Sequence, residues 1–240
     1  MAQLSDGGVL PEEAGGPPRR RLPHPPRAPL VVVPPVRLAP AAVSAGKRAF
    51  DVVAAALALV VLTPLLLVVG TLVACTSPGP VLYRQIRVGA GGRQFTMLKF
   101  RSMYDGAHVE RHRLRHLNEA SGPLFKMRHD PRLTPLGRWM RRYSADELPQ
   151  MWNVLVGSMS LVGPRPALPE ECALFAAEEH GRHAVRPGLT GLAQVSGRSE
   201  LPWSRSVALD LRYVEECSWR LDLAILVRTV RVVLLGRGAY

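Results

Sequence analysis

The sequence predicts a mixed α/β fold, mainly helical with one short β-hairpin, in a chain that meets a membrane through a single apolar helix. Three observations lead to this prediction. Residues 50–75 form a long apolar run, two strand-like segments follow it across a glycine-containing turn, and most later stretches show helical spacing of apolar residues. The sequence has no alternating strand–helix–strand pattern, so a doubly wound parallel sheet is not expected.

The first segment, residues 1–46, is expected to be a disordered tail. It is rich in proline and arginine and poor in large apolar residues, so it cannot bury enough surface to offset the entropy of ordering. The apolar run begins too late for a secretory signal peptide. The prediction divides the chain into this tail, a membrane helix over residues 47–76 and a cytosolic domain over residues 77–240.

The membrane segment admits two topologies. From Val52 to Cys75 it carries no charged residue, and roughly 24 helical residues extend about 36 Å, enough to cross a bilayer. Pro64, preceded by Thr63, removes one helical hydrogen bond near the middle and favours a kink. Basic residues flank both ends, and the positive-inside rule places both flanks on the cytoplasmic side. A re-entrant helix broken at Thr63–Pro64 satisfies that rule, and a straight span remains the alternative.

The cytosolic domain is expected to contain a hairpin and several helices. The runs VLYRQIRVG and RQFTMLKF are strand-like, and the residues Ala90, Gly91 and Gly92 join them. Helical patterns are expected in five later stretches: residues 104–120, 135–143, 149–160, 169–183 and 210–235. The last stretch predicts one or two helices, which either belong to the core or lie at the membrane interface.

The charge of the chain predicts an anionic partner. Lysine and arginine number 31 against 19 acidic residues, giving a formal net charge of +12. Nucleic acid, anionic lipid head groups and a phosphorylated substrate are all compatible with this excess. The three cysteines are far apart and odd in number, which argues against a zinc site or a disulfide framework and fits a reducing compartment.

Two adjacent carboxylates, Asp146 and Glu147, lie in the stretch SADELPQ and admit a structural interpretation. Ser144 and Glu147 match the capping-box pattern, in which each side chain satisfies a free backbone N–H at the start of a helix. Because the residue before a proline is biased away from helical geometry, the helix can instead begin at Pro149. Either start leaves both carboxylates close to a helix N-terminus.

The cations near these carboxylates favour a catalytic interpretation. Arg141 and Arg142 come just before them, and Arg165 follows between two prolines that restrict its backbone. A restrained arginine suits bidentate contact with phosphate oxygens. Carboxylates surrounded by cations are expected to stay ionised, as a nucleophile or a magnesium ligand must.

Two further stretches hold cations near turns. LKFRSM contains Lys99 and Arg101. RPGLTGLAQVSGR contains Arg186, Gln194 and Arg198 among glycines, which let backbone N–H groups approach an anion closely. A tight surface turn explains the second stretch equally well.

Taken in order, the motifs resemble one protein family. KRAFD, a broken apolar helix, SPGPVLYRQIRVG, KFRSM, DPRLTPLGR, SADELPQMWNVLVGSMSLVGPRP, RPGLTGLAQVSGR and YVEECSWRLDLAIL are similar to the motifs of the bacterial sugar transferases, the monotopic polyprenyl-phosphate phosphoglycosyl transferases. The resemblance covers residues 47 to about 230. The chain lacks the preceding bundle of membrane helices found in larger members, so it resembles the minimal catalytic form.

The resemblance implies a catalytic domain that faces the cytoplasm at the bacterial inner membrane. It would transfer a sugar-1-phosphate from a UDP-sugar to polyprenyl phosphate and release UMP. Asp146 corresponds to the family nucleophile that forms an aspartyl-phosphosugar intermediate, Glu147 supports it, and both are expected to contact Mg²⁺. The expected substrate-binding residues are Lys99, Arg101, Arg141, Arg142, Arg165, Arg186, Gln194 and Arg198.

The resemblance also sets expectations for partners and topology. The family's re-entrant helix maps onto Thr63–Pro64, where Thr63 replaces a frequent serine and keeps a hydroxyl. The expected partners are the UDP-sugar, polyprenyl phosphate and the lipid bilayer, with a homodimer as an open alternative and no nucleic acid. The competing hypothesis is a non-enzymatic, basic, membrane-anchored interaction module, which explains the charge and the apolar helix but gives no role to Asp146 and Glu147.

Overall fold

The structure, a computed structural model, describes residues 36, 39, 44–111 and 113–235. The tail predicted over residues 1–46 therefore lies almost wholly outside the described residues. The helices are α1 (Ala45–Thr76), α2 (Ala107–Glu110), α3 (Pro135–Arg142), α4 (Gln150–Val156), α5 (Pro169–Cys172), α6 (Leu192–Val195), α7 (Trp203–Glu216) and α8 (Trp219–Leu235). The strands are β1 (Leu82–Val88), β2 (Gln94–Phe100), β3 (Ser160–Val162) and β4 (Gly188–Thr190). The mixed, mainly helical class is confirmed.

The predicted hairpin is present. Strands β1 and β2 pair antiparallel, with Arg87 opposite Phe95 and Tyr83 opposite Lys99. A single 3-10 turn, Ala90–Gly92, joins them, and Gly91 adopts a φ of 63° that favours glycine. Because side chains alternate along a strand, Arg87, Phe95 and Lys99 share one face of the hairpin.

Strands β3 and β4 form a short parallel pair that the sequence did not predict. Ser160 lies opposite Gly188, and Val162 lies opposite Thr190. A Cβ atom on Gly188 would lie 2.1 Å from the backbone nitrogen of Gly163, so only glycine fits at this approach. The sequence left open whether this glycine lets the backbone approach an anion or simply belongs to a tight turn; in the structure it lets two backbone segments approach each other.

The N-terminal end of α1 is attached to the domain by polar contacts. Asp51 is 1% exposed, and its carboxylate accepts a hydrogen bond from the Leu161 N–H at 3.1 Å. The guanidinium of Arg48 donates to the carbonyls of Val154 and Leu155, each at 2.7 Å. Such buried polar contacts fix this end of α1 against α4 and β3.

The C-terminal end of α1 packs against a different part of the same domain. Val69 and Val73 are buried with Phe100 and Met140. Arg101 is 5% exposed and donates to the carbonyls of Val73 and Ser77 at 3.2 and 2.6 Å. It thereby satisfies carbonyls at the end of the helix that have no intrahelical donor.

Between these two ends, α1 presents apolar side chains to the exterior. Of the described residues, α1 forms the one helix that is long and apolar enough to cross a membrane. Its exposed large apolar residues are Val53, Leu57, Val60, Val61, Leu65, Leu67, Val68 and Leu72. A surface of this composition favours contact with lipid.

The helix is continuous across Pro64, so the break predicted at Thr63–Pro64 does not interrupt helical structure. Proline removes only its own N–H from the helical ladder. The hydroxyl of Thr63 donates to the Leu59 carbonyl at 2.7 Å, which satisfies the threonine within the helix.

Two of the predicted helical stretches are much shorter than expected. Within residues 104–120 the described helix is α2, with a 3-10 turn at Arg115–Leu117. Within residues 169–183, α5 is followed by a 3-10 segment, Glu178–Ala184. Polar side chains in both stretches hold irregular backbone: the Asn118 side chain accepts from the Ala120 and Lys126 N–H groups, and the Glu179 carboxylate accepts from the Ala176 N–H. The predictions for 135–143 and 210–235 are confirmed as α3 and as the pair α7 and α8.

The main core joins α1, α4, the two short strands and the C-terminal helices. Its buried members include Ala55, Val154, Leu161, Leu192 and Ile225. The Tyr213 hydroxyl donates to the Asp222 carboxylate at 2.7 Å. Lys47 forms an ion pair with the same carboxylate at 2.5 Å. Ile225 shows that α8 contributes to the core.

Candidate active site

A small cleft lies where the hairpin meets α4 and the segment that follows β3. One face of the hairpin contributes to it, because Met97 and Lys99 are two residues apart on β2 and therefore lie on the same face. The lining residues are Arg87, Met97, Lys99, Glu147, Gln150, Arg165, Pro166, Gly188 and Leu189. Five separate segments of the chain therefore contribute to the cleft.

Glu147 is held by two cations. Its Oε1 atom accepts from Lys99 Nζ at 2.9 Å and lies 3.4 Å from Arg165 Nη1. The Glu147 side chain is 19% exposed and that of Lys99 is 13% exposed. Burial alone would raise the pKa of Glu147, but the charges of Lys99 and Arg165 lower it to about 2. Glu147 is therefore a permanently charged, fixed carboxylate at neutral pH.

Asp146 has a different environment although it is the neighbouring residue. It is 5% exposed, and within the described part of the chain no hydrogen bond is made to its carboxylate. Burial raises the pKa of Asp146, while the positive charges of Lys99 and Arg141 oppose that rise. Both carboxylates were predicted to stay ionised: the lowered pKa of Glu147 agrees with that prediction, whereas burial shifts the pKa of Asp146 upward in spite of the nearby cations.

The capping box predicted for this stretch is not formed. Ser144 has a left-handed φ of 55° and makes no side-chain cap, and residues Ala145–Glu147 form a 3-10 turn ahead of α4. The Ser144 hydroxyl instead accepts from Arg198 Nη2 at 3.2 Å. The alternative helix start is nearly correct, because α4 begins one residue after Pro149.

Arg198 and its hydrogen-bonding partner Ser144 both have an unusual backbone conformation. Among the described residues other than glycine, Ser144 and Arg198 are the two with positive φ. Backbone conformations of this kind cost energy and concentrate at functional sites. The pKa of Arg198 is lowered by burial, an effect that the charge of Glu147 opposes, so Arg198 lies within the electrostatic reach of the cleft.

The backbone around Arg165 is fixed by three hydrogen bonds. The Pro164 carbonyl accepts from the Gly188 N–H at 2.9 Å. The Arg165 carbonyl accepts from Arg182 Nη2 at 3.0 Å, and the Pro166 carbonyl accepts from Arg87 Nη1 at 2.9 Å. The two prolines restrict this segment as predicted, and these contacts fix where its exposed arginine side chain begins.

Arg182 is itself held from several sides. It forms a buried ion pair with Asp210 on α7, and both side chains are at most 4% exposed. Its guanidinium lies 5.5 Å from the Phe175 ring centre and 5.3 Å from that of Trp203, within the range of cation–π attraction. Arg182 and Asp210 together form what we call the support pair of the Arg165 segment.

Four of the sequence-predicted substrate residues are not brought into the cleft. Arg101 holds the end of α1. Arg142 is exposed and lies over the Tyr143 ring. Arg186 donates to the Gly157 carbonyl at 3.2 Å, and Gln194, whose buried amide lacks a hydrogen-bonding partner among the described residues, is not part of the cleft lining.

Arg141 lies at the edge of the cleft. Its Nε atom donates to the Ser102 hydroxyl at 3.2 Å. Burial lowers the pKa of Arg141, and the attraction of Asp146 opposes that change. The cleft lining thus includes Lys99, Arg165 and Glu147, whereas Asp146, Arg141 and Arg198 interact electrostatically with these residues or with each other without lining the cleft.

Sequence reasoning missed four residues of this region: Arg87, Gln150, Arg182 and Asp210. Arg87 had been noticed only as a charge flanking the membrane segment. Gln150 belongs to the same stretch as the two carboxylates and carries a polar side chain into an otherwise largely apolar helix, which is the signal that could have found it. Arg182 and Asp210 depend on contacts between distant segments.

The arrangement suits chemistry on a phosphorylated molecule. Lys99, Arg87 and Arg165 supply positive charge to one small cleft, and the carboxylate of Asp146 beside them is not engaged by a hydrogen bond in the described residues. Cations that hold a phosphate and a carboxylate free to attack it are the two requirements of nucleophilic phosphoryl transfer.

Comparison with known proteins gives consistent matches. The family model described as bacterial sugar transferase matches residues 42–236. The exopolysaccharide production protein ExoY of Sinorhizobium fredii is 42% identical over 198 residues, which cover 81% of this chain and 88% of that protein. The undecaprenyl-phosphate glucose phosphotransferase of Komagataeibacter xylinus is 43% identical over 205 residues, covering 81% of this chain and 37% of that protein. The undecaprenyl-phosphate galactose phosphotransferase of Salmonella typhimurium is 39% identical over 202 residues, covering 81% of this chain and 41% of that protein.

Proposed function

This chain belongs to the bacterial sugar transferase family, and from that premise we propose that it transfers a sugar-1-phosphate from a UDP-sugar to polyprenyl phosphate, with release of UMP. Two similar proteins are named as undecaprenyl-phosphate phosphotransferases of glucose and galactose. Two others are named for exopolysaccharide production, which supports a role in initiating polysaccharide or glycoconjugate assembly. Family membership favours this enzyme over a non-enzymatic membrane module.

The observation that carries the proposal is the difference between the two adjacent carboxylates. Glu147 is occupied by Lys99 and Arg165. Asp146 makes no hydrogen bond in the described part of the chain, so its lone pairs are available to attack phosphorus. Because burial raises the pKa of Asp146, its carboxylate is also a stronger base than an exposed aspartate. A base of this kind, not stabilised by hydrogen bonds, is a better nucleophile.

The reaction then proceeds in two displacements. An oxygen of Asp146 attacks the phosphorus that bears the sugar, the bond from that phosphorus to the bridging oxygen breaks, and UMP leaves with the electron pair. An oxygen of polyprenyl phosphate next attacks the same phosphorus, and the bond to Asp146 breaks. The products are the polyprenyl diphosphate sugar and a regenerated carboxylate.

The cations of the cleft stabilise the charge that these steps move. Arg165 is 53% exposed and carries its guanidinium at the opening of the cleft, where it can hold a phosphate oxygen. Its backbone is fixed in advance by Arg87, Arg182 and Gly188. Donors positioned before the reaction stabilise developing negative charge more effectively than mobile ones.

The cleft suits Mg²⁺ only together with a substrate. In the described residues, no group of three or more histidine, cysteine, aspartate or glutamate side chains comes together. Mg²⁺ often binds through one or two carboxylates and substrate phosphates. Asp146 and the second oxygen of Glu147 would supply the carboxylates here. When bound, the ion neutralises charge on the diphosphate.

The attachment of α1 supports a re-entrant topology. Both ends of this helix pack against the same domain, through Arg48 and Asp51 at one end and Val73 at the other. A helix whose two ends contact one domain on one side of a bilayer does not span it. The exposed apolar middle of α1 would then enter the bilayer without crossing it, with the domain on the cytoplasmic side, where its flanking charges favour it.

Helix α8 is the second element that would contact lipid. Leu223, Val227, Val230 and Leu234 are exposed on it. At its start, Trp219 lies edge-on to Phe50 of α1, with ring centres 5.3 Å apart. Aromatic residues of this kind favour the membrane interface, so α8 would lie along the surface beside the entry point of α1.

The central experiment measures UMP release by the purified full chain with polyprenyl phosphate, Mg²⁺ and a panel of UDP-sugars. At least one donor should give release that depends on the lipid phosphate. Asp146→Asn should abolish release, whereas Asp105→Asn, a matched change at an exposed position, should not. Absence of release with every donor, or full release by Asp146→Asn, would refute the proposal.

A separate experiment addresses topology. Single cysteines introduced at positions 44 and 78, on a background without the three native cysteines, are treated with a membrane-impermeant thiol reagent in sealed vesicles of known orientation. Both positions should react from the same side. Reaction from opposite sides would show that α1 spans the bilayer.

A further inference from the structure

The amide nitrogen of Gln150 is buried and has no partner within the described part of the chain. The residue as a whole is 3% exposed. Asn153, three residues later on α4, uses both ends of its amide: Oδ1 accepts from the Leu98 N–H at 3.0 Å and Nδ2 donates to the Thr96 carbonyl at 2.7 Å. Leaving a buried donor unpaired is costly, so the difference between these two amides calls for a cause.

The position of Gln150 supplies that cause. Its side chain lines the cleft together with Lys99, Glu147 and Arg165. Glu147, the carboxylate that lines the same cleft, is already engaged, because its Oε1 atom contacts both Lys99 and Arg165. The missing partner is therefore an acceptor that the chain itself does not provide.

The charge of the cleft identifies the class of that acceptor. Arg87, Lys99 and Arg165 surround the same small volume and attract an anion whose oxygens accept hydrogen bonds. A neutral amide adds a directional donor without adding a further buried positive charge. We propose that Gln150 is a substrate-binding residue whose amide donates a hydrogen bond to a diphosphate oxygen of the nucleotide-sugar donor. This inference rests on the proposed function and extends it to a residue outside the charged set.

A substrate-binding role for Gln150 and a structural role predict opposite effects of its loss on the melting temperature. A structural amide stabilises the folded protein, so its loss lowers the melting temperature. Removing an unpaired buried amide relieves a desolvation cost instead. Gln150→Met, which keeps the length of the side chain and removes its polar atoms, should therefore melt at or above the wild-type temperature while it binds substrate less tightly.

The test measures the affinity of the full chain for UDP, which carries the diphosphate common to all UDP-sugars, and for uridine, which has no phosphate. Gln150→Met should weaken UDP binding by about 10- to 100-fold, the range for a hydrogen bond to a charged group, and leave uridine binding unchanged. Gln150→Glu should weaken UDP binding further, because a carboxylate repels the diphosphate. Gln94→Met makes the same change at an exposed position on β2 and should alter neither affinity.

Each result decides the inference. Wild-type affinity for UDP in Gln150→Met, equal loss for UDP and uridine, or a lowered melting temperature would each overturn it. A wild-type chain that binds UDP and yet releases no UMP from any donor would instead refute the proposed function, and a wild-type chain that does not bind UDP would refute both.

Discussion

Two clusters of charged residues meet at the Arg165 segment, and they use similar residues differently. On its side-chain side is the cleft cluster, which we define as Lys99, Asp146, Glu147 and Arg165. On its backbone side is the support pair, Arg182 and Asp210. In the cleft cluster one carboxylate is paired and its neighbour is not. The support pair is closed off from solvent and lies between Phe175 and Trp203.

The difference between the two clusters separates function from stability. A buried charge that has a partner stabilises the fold only relative to the same charge left alone. A buried charge without a partner lowers the free energy of unfolding, and a bound substrate can offset that loss. We therefore expect substitutions in the cleft cluster to affect activity most, and substitutions in the support pair to affect folding most.

The largest expected effect is that of Asp146→Asn on turnover. Loss of the nucleophile should lower kcat by at least about 10³-fold, as in other enzymes that lose a residue forming a covalent intermediate. Because burial raises the pKa of Asp146, neutralising it should leave the melting temperature unchanged or raise it. Turnover and thermal unfolding, measured on the same preparation, check both parts. A fall in melting temperature would show that the Asp146 carboxylate stabilises the fold, contrary to this prediction.

The second effect concerns the support pair. Asp210→Asn leaves the guanidinium of Arg182 buried without a counter-charge, which should lower the free energy of unfolding by about 3–5 kcal/mol. Activity should fall as well, because Arg182 holds the Arg165 carbonyl. Denaturant unfolding in detergent micelles measures the loss. Glu216→Gln is the matched control, since its partner Arg212 lies on the exposed surface of α7, and it should change stability very little. Equal free energies of unfolding for Asp210→Asn and Glu216→Gln would show that the support pair contributes no more to folding than an exposed ion pair.

The difference between the clusters also marks the limit of prediction from sequence. The hairpin, α1, α3, α7 and α8 were predictable because their signals are local: apolar periodicity, glycine turns and long apolar runs. The catalytic role of Asp146 was predictable because Arg141 lies nearby in the chain and a family motif surrounds both. These features need no knowledge of how distant segments meet.

The remaining features depend on contacts between distant residues. Lys99 reaches Glu147 from 48 residues away, and Arg87 reaches the Pro166 carbonyl from 79 residues away. The sequence prediction assigned Arg101 to substrate binding, although Arg101 is used by the end of α1. The direction of the Asp146 pKa shift was unpredictable for the same reason, because burial is set by tertiary packing.

The third effect is a pH dependence that belongs to Glu147. Its pKa lies near 2 in the folded protein against a usual value of 4.5, so it stabilises the fold at pH values above 4.5 and loses that contribution as the pH falls from about 5 to 2. Glu147→Gln should be less stable than the wild type by about 3 kcal/mol at pH 7, and the difference should shrink over that window. Unfolding free energies measured at pH 7, 5, 4 and 3 check this. A difference independent of pH would show that Glu147 acts by packing alone.

Asp146 contributes in the opposite sense. Its pKa is raised in the folded protein, so its ionised form destabilises the fold at neutral pH, and protonation relieves that cost as the pH falls. The wild type therefore combines two opposed contributions from neighbouring residues. The pH profile of the Asp146→Asn variant should show the Glu147 contribution alone, with a steeper loss of stability towards low pH than in the wild type.

The smallest effect compares two adjacent arginines at the end of α3. Arg141 is half-buried, and its positive charge opposes the raised pKa of Asp146, whereas Arg142 is exposed and lies over Tyr143. Arg141→Ala should raise the pKa of Asp146 further. The acid limb of the kcat/KM profile should then move to higher pH, with about a tenfold loss of activity for each unit of that shift at pH values below the limb.

Arg142→Ala is the matched control, because it removes the same charge one residue away and should leave the acid limb in place. UMP release measured across pH for both variants distinguishes a local effect on Asp146 from a general loss of positive charge. If both variants shift the acid limb equally, the long-range field of the basic chain controls Asp146. If neither does, burial and the other nearby charges, Lys99 first among them, set its pKa. An effect confined to Arg141 would show that the cleft tunes its nucleophile through one neighbour on α3, while the support pair of Arg182 and Asp210 holds the Arg165 segment in place.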